Sequence, residues 1–273
     1  MRLNAFGSWR KDISLCKDIW MRNKMNGFQI LKTAIDDVFK NLTDALAISG
    51  LLWIAVVAAQ VVFVEKFGGM SGLEIDDPAS VPVGLIKWTL LLNLATLAIS
   101  LWVAVAWHRF IILGERAISV VPPMNGARVL AYLRTSLLIG VIVVVIVLAA
   151  SIVLSPLAMS GGPSLVVFGY VALIVPMTYV VYRISPALPA AAIGNGMGIV
   201  DAWRKTAPIK SSVFQAGLFA TLTGFALQQV GVLFSFNALL ATLYNLASGW
   251  VMLMVGVSVF STIYKLANHE SAR

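Results

Sequence analysis

Six long apolar runs constrain the fold of this chain more than any other feature of its sequence. They lie at about 43–64, 83–107, 135–159, 165–182, 213–235 and 241–264. A helix of roughly 20 apolar residues crosses a bilayer. Of the 273 residues, 59% are hydrophobic and only 12% are charged, whereas about 25% are charged in an ordinary soluble domain. We therefore expect an all-α polytopic membrane protein with six transmembrane helices.

The distribution of Lys and Arg predicts how these helices are oriented. All but two of the 20 Lys and Arg residues lie before the first predicted span, in 108–134, in 183–212 or after the last predicted span; the exceptions are Lys66 and Lys87. Because cytoplasmic loops retain basic residues, both termini are expected on the cytoplasmic side of the bacterial inner membrane. The net charge of +8 is then explained by attraction of the cytoplasmic basic residues to anionic phospholipid headgroups, and nucleic acid is not expected as a partner.

Three Asn-Gly dipeptides predict an internal repeat. Asn26-Gly27, Asn125-Gly126 and Asn195-Gly196 each precede a helix-like stretch with one apolar face, and each stretch leads to two predicted spans. Chance similarity in a Leu- and Val-rich chain is the alternative.

The domain boundaries follow from this pattern. We expect an N-terminal tail at 1–25, a membrane domain at 26–268 and a C-terminal tail at 269–273. The predicted repeat units are 26–116, 125–190 and 195–268, each an amphipathic cytoplasmic-side helix followed by a helical hairpin. Such amphipathic helices usually lie in the headgroup plane, where they anchor the hairpins.

Residue types that carry catalysis or bind metals are sparse. The chain has two His and one Cys, Cys16, so neither a disulfide framework nor a His- or Cys-based metal site is expected. No H-E-x-x-H, G-x-S-x-G or P-loop motif occurs. Asp76-Asp77, in the loop at 65–82, is interpreted as a solvated acidic loop. We expect no enzymatic activity, no cofactor and no bound metal.

Polar residues within the predicted spans are uncharged near the membrane centre. The absence of Asp and Glu there argues against a proton-coupled transporter. Asn93, Gln228 and Gln229 are the candidates for lining a polar cavity, although hydrogen bonding between packed helices is the more common role of such residues.

Trp107-His108-Arg109 follows the second predicted span and contains one of the two His residues. We interpret it as membrane-boundary chemistry, in which an aromatic residue and a basic residue meet lipid headgroups at the end of a helix. Glu115 follows Arg109 by six residues. That spacing does not pair the two on one continuous helix, although Gly114 can turn the chain.

The candidates for contact with headgroups or a partner protein share a position close to a predicted membrane boundary. They are Trp107, His108, Arg109, Arg116, Arg183, Trp203 and Arg204.

Two stretches, VAWHRFIILGE and YRISPALPAAAIGNGMGIVDAWRKT, resemble bacterial inner-membrane proteins of the YciC-like family and the membrane domain fused to some glycerophosphoryl diester phosphodiesterases. The resemblance extends over about 26–265 and rests on Trp107-His108-Arg109 and on Ala202-Trp203-Arg204 with Thr206. It implies a six-helix bacterial membrane protein. The acidic catalytic domain of those phosphodiesterases is not found here, so hydrolase activity is not implied.

Three functions are consistent with these observations. The first is a non-enzymatic accessory, assembly or organising component of a larger membrane complex. The second is a small-solute transporter or channel, which requires a polar cavity near mid-membrane. The third is binding of anionic lipid at the cytoplasmic interface.

Overall fold

The computed structural model describes residues 25–67, 84–116, 122–160 and 163–270. These residues form helices joined by short connections and contain no β-strand. Most of the expected N-terminal tail lies outside the described residues, as do the acidic residues Asp76 and Asp77. The described helices are α1 (Gly27–Lys40), α2 (Leu42–Phe67), α3 (Leu85–Leu113), α4 (Gly126–Ser160), α5 (Pro163–Ile184), α6 (Ala187–Ile193), α7 (Ile199–Lys205), α8 (Lys210–Val232) and α9 (Ala238–Glu270).

Five helical stretches among the described residues are long and apolar enough to cross a membrane. They are Leu42–Phe67, Leu85–Leu113, Gly126–Ile152, Val171–Ile193 and Ala238–His269. The all-helical membrane class is thus confirmed. The remaining predicted span, 213–235, coincides with helix α8, whose Gln and Thr residues lower its hydropathy. A sixth span therefore stays a prediction.

Helix α9 is the element against which most other helices pack. It contacts α1, α2, α3 and α8, and also the short helices α6 and α7. Its buried residues include small or β-branched ones, such as Val257, Ser258, Val259 and Ser261. Short side chains of this kind let neighbouring helix backbones approach closely, which explains how one helix serves so many neighbours.

The buried core is concentrated at one end of the bundle, which we call the basic end. It comprises α1, the start of α2, the last turns of α3, the start of α4, the 183–217 region and the last turns of α9, and it carries most of the described Arg residues. Toward the opposite end, the far end, the helices present mostly exposed apolar side chains, including Leu94 of α3 and Val144 of α4. The five candidate spans are consequently held together mainly at one end.

Helix α1 begins directly after Asn26, where the sequence predicted an amphipathic helix. Asn26 caps it in a reciprocal box: its side chain accepts from Gln29 N at 2.9 Å, and Gln29 Oε1 accepts from Asn26 N at 2.9 Å. Its apolar face, with Ile30 and Ala34 fully buried, packs against α8 and α9. The apolar face of α1 is therefore covered by two other helices of the same chain, whereas the sequence analysis expected this helix to lie in the plane of the lipid headgroups.

Gly27 is required for that packing. A β-carbon at Gly27 would lie 2.2 Å from Gln215 Cβ and 2.4 Å from Ala216 N on helix α8. Only a residue without a side chain allows the start of α1 to approach α8 this closely.

The other two Asn-Gly dipeptides differ from the first. After Asn125, helix α4 runs without interruption from Gly126 into the candidate span, so no separate amphipathic helix is formed there. After Asn195, the next helix begins only at Ile199, with Gly198 as its cap. The three-unit repeat remains a prediction. The stretch that follows the Asn-Gly dipeptide differs among the three units: a separate helix, the start of a long helix, or a short helix that begins four residues after Asn195.

Candidate functional site at the basic end

Trp107 and His108 are completely buried, with 0% of each side chain exposed. Trp107 Nε1 donates to Ser258 Oγ at 2.7 Å. His108 Nδ1 lies 2.7 Å from Ser261 Oγ, and its Nε2 lies 3.4 Å from Tyr132 Oη. Two polar residues of α3 thus meet two serines one turn apart on α9, which joins these helices through their polar atoms.

This burial corrects the interpretation of Trp107 and His108 as side chains that meet headgroups. Helix α3 continues to Leu113, six residues beyond the predicted end of the span, so both residues lie within the helix and inside the bundle. The serines that receive them were not singled out from the sequence. Their spacing of three residues within an apolar span, at Ser258 and Ser261, is the signal that could have found them.

Arg109 forms a two-pronged ion pair with Glu115. Its Nη2 lies 2.6 Å from Glu115 Oε1 and its Nε lies 2.8 Å from Oε2, while Nη1 donates to the carbonyl oxygen of Ala192 at 3.2 Å. Gly114 makes the pair possible because its φ of 72° ends helix α3 and turns the chain back. Arg109 therefore links the end of α3 to α6, and its three nitrogens each donate a hydrogen bond within the chain.

Arg116 is the more accessible of the two Arg residues after the WHR element. Its side chain is 77% exposed, and its Nε lies 3.9 Å from Asp44 Oδ1 at the start of α2. Arg109, Glu115 and Arg116 line a cavity of about 410 Å³ together with apolar residues that include Ile48. We call this cavity the interfacial pocket.

Arg183 is buried among uncharged groups. Its Nε donates to Thr206 Oγ1 at 2.8 Å, its Nη1 donates to Tyr179 Oη at 2.8 Å, and its Nη2 donates to the carbonyl of Trp203. The guanidinium also lies 4.1 Å from the centre of the Trp203 ring. The side chain is only 3% exposed, and within the described part of the chain it forms no ion pair with a carboxylate.

The contacts of Arg183 connect it to the Ala202-Trp203-Arg204 element and to Thr206. Thr206 Oγ1 accepts from the guanidinium and lies within hydrogen-bond distance of the carbonyl oxygens of Ala202, at 2.8 Å, and Arg183, at 3.0 Å, so the end of α5 and the end of α7 hold each other. The prediction that Arg183 meets headgroups is corrected, because its side chain is enclosed. Trp203 is 37% exposed and Arg204 is exposed, so only these two members of the set remain at the surface of this region.

The three expected cavity-lining residues lie on the outside of the described helices. Asn93, Gln228 and Gln229 are all exposed, and Asn93 Nδ2 donates to the carbonyl of Thr89 in its own helix at 2.9 Å. They line neither of the two cavities described for this chain, the interfacial pocket and a groove of about 390 Å³ at the far end beside Lys66 and Trp88. The structure does not bring them together around an internal path.

Groups that could hold a metal ion are not found in the described ranges: no three His, Cys, Asp or Glu side chains cluster there. Comparison with known proteins gave no match among protein-family models, curated proteins or solved structures. The resemblance to YciC-like proteins accordingly stays a prediction from the sequence.

Proposed function

We propose that this chain is a non-enzymatic protein of the bacterial inner membrane that organises or accompanies other membrane proteins. In this proposal α8 is the sixth span, the pairs α2–α3, α4–α5 and α8–α9 are hairpins, and the basic end faces the cytoplasm. The contacts between the two members of each pair support the hairpins, and the retention of Lys and Arg at the basic end supports the orientation.

The observation that carries the proposal is an amide that faces outward from an apolar helix surface. Asn93 lies in the far-end half of α3 among exposed apolar residues such as Leu90, Leu94 and Leu97. Its one described hydrogen bond is to its own helix. An amide facing hydrocarbon retains unsatisfied hydrogen-bonding capacity, and a polar group from another transmembrane helix would satisfy it.

The interior of the bundle supports the same conclusion. Several polar side chains that point inward at the basic end are paired with each other, as in Trp107 with Ser258 and His108 with Ser261, whereas the buried Nε1 of Trp102 has no hydrogen-bond partner among the described residues. A transporter needs polar groups around an internal path, whereas the candidates for that task are exposed on the outer surface. The arrangement favours lateral association over transport.

Site-specific photo-crosslinking in native membranes tests the proposal. A photoreactive residue is placed at Leu94, next to Asn93, and separately at Val144 on the uniformly apolar face of α4; these positions are matched in exposure at 53% and 55%. We expect a discrete protein adduct from position 94 but not from position 144. The adduct should disappear when Asn93→Leu is added. Identical adduct patterns at the two positions, or an adduct that survives Asn93→Leu, would contradict the proposal.

A further inference from the structure

The interfacial pocket combines charged and apolar walls at the place where α3 ends. Ile48 of α2 and Ala106 of α3 form apolar parts of its lining, and Arg109, Glu115 and Arg116 form the charged part. Pro122, in the residues that lead to α4, also lines it. A site of this composition can hold a small molecule that has both a hydrocarbon portion and a charged portion.

The charges at the pocket are balanced. Arg109 is neutralised by Glu115 through two hydrogen bonds, whereas Arg116 only approaches Asp44, at 3.9 Å. Arg116 is therefore the guanidinium that can rotate toward a ligand. Glu115 lines the pocket itself, and Asp44, which does not line it, lies beside it through its contact with Arg116; their side chains are 48% and 27% exposed.

We propose that this pocket binds a phosphate–ammonium zwitterion, as in the headgroup of phosphatidylethanolamine. Arg116 binds the phosphate, because a guanidinium matches phosphate oxygens in geometry and charge. Asp44 and Glu115 bind the ammonium group. An anionic headgroup without an ammonium meets the same two carboxylates and lacks a favourable partner for them, so the pocket discriminates against it. The inference is independent of the organising function and of Asn93.

A lipid is the favoured source of this zwitterion. The apolar wall at Ile48 and Ala106 belongs to two candidate spans, so a headgroup seated on Arg116 has its acyl chains next to helix surfaces that are themselves apolar. A soluble zwitterion such as phosphoethanolamine carries the same charges but gains nothing from that wall.

Native mass spectrometry of the delipidated full chain tests the proposal. The protein is mixed with equal amounts of phosphatidylethanolamine and phosphatidylglycerol in detergent. We expect preferential retention of phosphatidylethanolamine. Arg116→Ala should reduce that retention about tenfold, because a hydrogen bond between charged groups is lost. Arg204→Ala, which removes an exposed Arg at the same end but outside the pocket, is the matched control and should change nothing.

A second variant and a soluble competitor complete the test. Asp44→Asn removes one carboxylate and should shift preference toward phosphatidylglycerol, which a merely structural role of Asp44 would not do. Excess phosphoethanolamine that displaces the lipid would make the free zwitterion the ligand, and failure to displace it would make the lipid the ligand. Equal retention of the two lipids by the wild-type chain, or retention unaffected by Arg116→Ala, overturns the proposal.

Discussion

Arg183 shows how a single side chain connects distant parts of this chain. Its guanidinium donates to the hydroxyls of Thr206 and Tyr179 and to the carbonyl of Trp203, and it lies over the Trp203 ring. A buried charge is costly unless hydrogen bonds compensate it, so these contacts are needed for Arg183 to be inside at all. Each of the three guanidinium nitrogens donates to a different acceptor.

We expect Arg183→Lys to destabilise the protein by about 2–3 kcal/mol. The single side-chain nitrogen of lysine cannot donate to all three acceptors that surround the planar guanidinium. The measurement is chemical unfolding in mixed detergent micelles, followed by tryptophan fluorescence. Arg204→Lys is the control, since Arg204 is exposed on the neighbouring helix. Equal stability of the two variants would show that the contacts of Arg183 contribute little.

Asp37 of α1 provides a prediction on pH dependence. Partial burial raises the pKa of this carboxyl above its ordinary value of 3.8, and the neighbouring Asp36 acts in the same direction, while Lys265 and Lys40 oppose the shift. A carboxyl with a raised pKa in the folded state favours folding when it is protonated. Its contribution is therefore largest below pH 3.8 and is lost as the pH rises through the folded-state value.

Asp37→Asn should thus be more stable than the wild-type chain at neutral pH, and its stability should decline less as the pH rises above 4, as measured by thermal unfolding across a pH series. Asp36→Asn is the control on the same helix. Parallel pH profiles for the wild-type chain and Asp37→Asn would contradict the prediction.

At the scale of elements, helix α1 is an example of what the sequence could and could not predict. Its spacing of apolar residues and its Asn26 cap predicted an amphipathic helix, because both signals are local. Its partner was not predictable, since Gly27 meets Gln215 across 188 positions of the chain and only tertiary packing selects such a contact. The pairing of Trp107 with Ser258, 151 positions apart, was missed for the same reason.

The boundary of α3 illustrates a related limit. The sequence predicted its end at Trp107, just before His108 and Arg109, because basic residues at the end of a span usually meet water or headgroups. In the structure, His108 finds Ser261 and Arg109 finds Glu115 through the turn at Gly114. Polar residues that have partners inside the protein do not mark a membrane boundary, and a single sequence does not show which ones have them.

Gly27→Ala tests the contact between α1 and α8. The added methyl group would overlap the backbone of α8, so we expect α1 to dock less tightly. In a Cys16→Ser background, a Cys placed at Ile30, which is fully buried, should then become accessible to thiol reagents. Gly126→Ala is the matched control, because it also changes the first residue of a helix and has nothing within 4 Å of the new carbon. Equal Cys reactivity in the two backgrounds would contradict the role of Gly27.

The whole molecule is asymmetric along the direction of its helices. Packing, buried polar pairs and most described Arg residues are concentrated at the basic end, whereas the far end has mostly exposed apolar side chains. Regions with few buried contacts open at lower free energy than the core. The two ends should therefore differ in how firmly the helices are held.

Spin-label distance measurements test this difference. Labels at Leu113 and Lys210 report on the basic end, and labels at Ile86 and Val232 report on the same two helices, α3 and α8, at the far end; all four positions are exposed. We expect a narrow distance distribution at the basic end and a broader one at the far end. Equally narrow distributions in both pairs would show that the far end is held as firmly as the core.

The position of α9 has a consequence for how the protein is made. This helix is near the end of the chain, yet it contacts the first described helix, α1, as well as α2 and α3. During synthesis the ribosome adds about 5–20 residues per second, so α1 waits many seconds for the surface that covers its apolar face. Chains interrupted before Ala238 contain α8 but lack α9, so the part of that face that α9 covers stays exposed, at the opposite end of the chain from the missing segment.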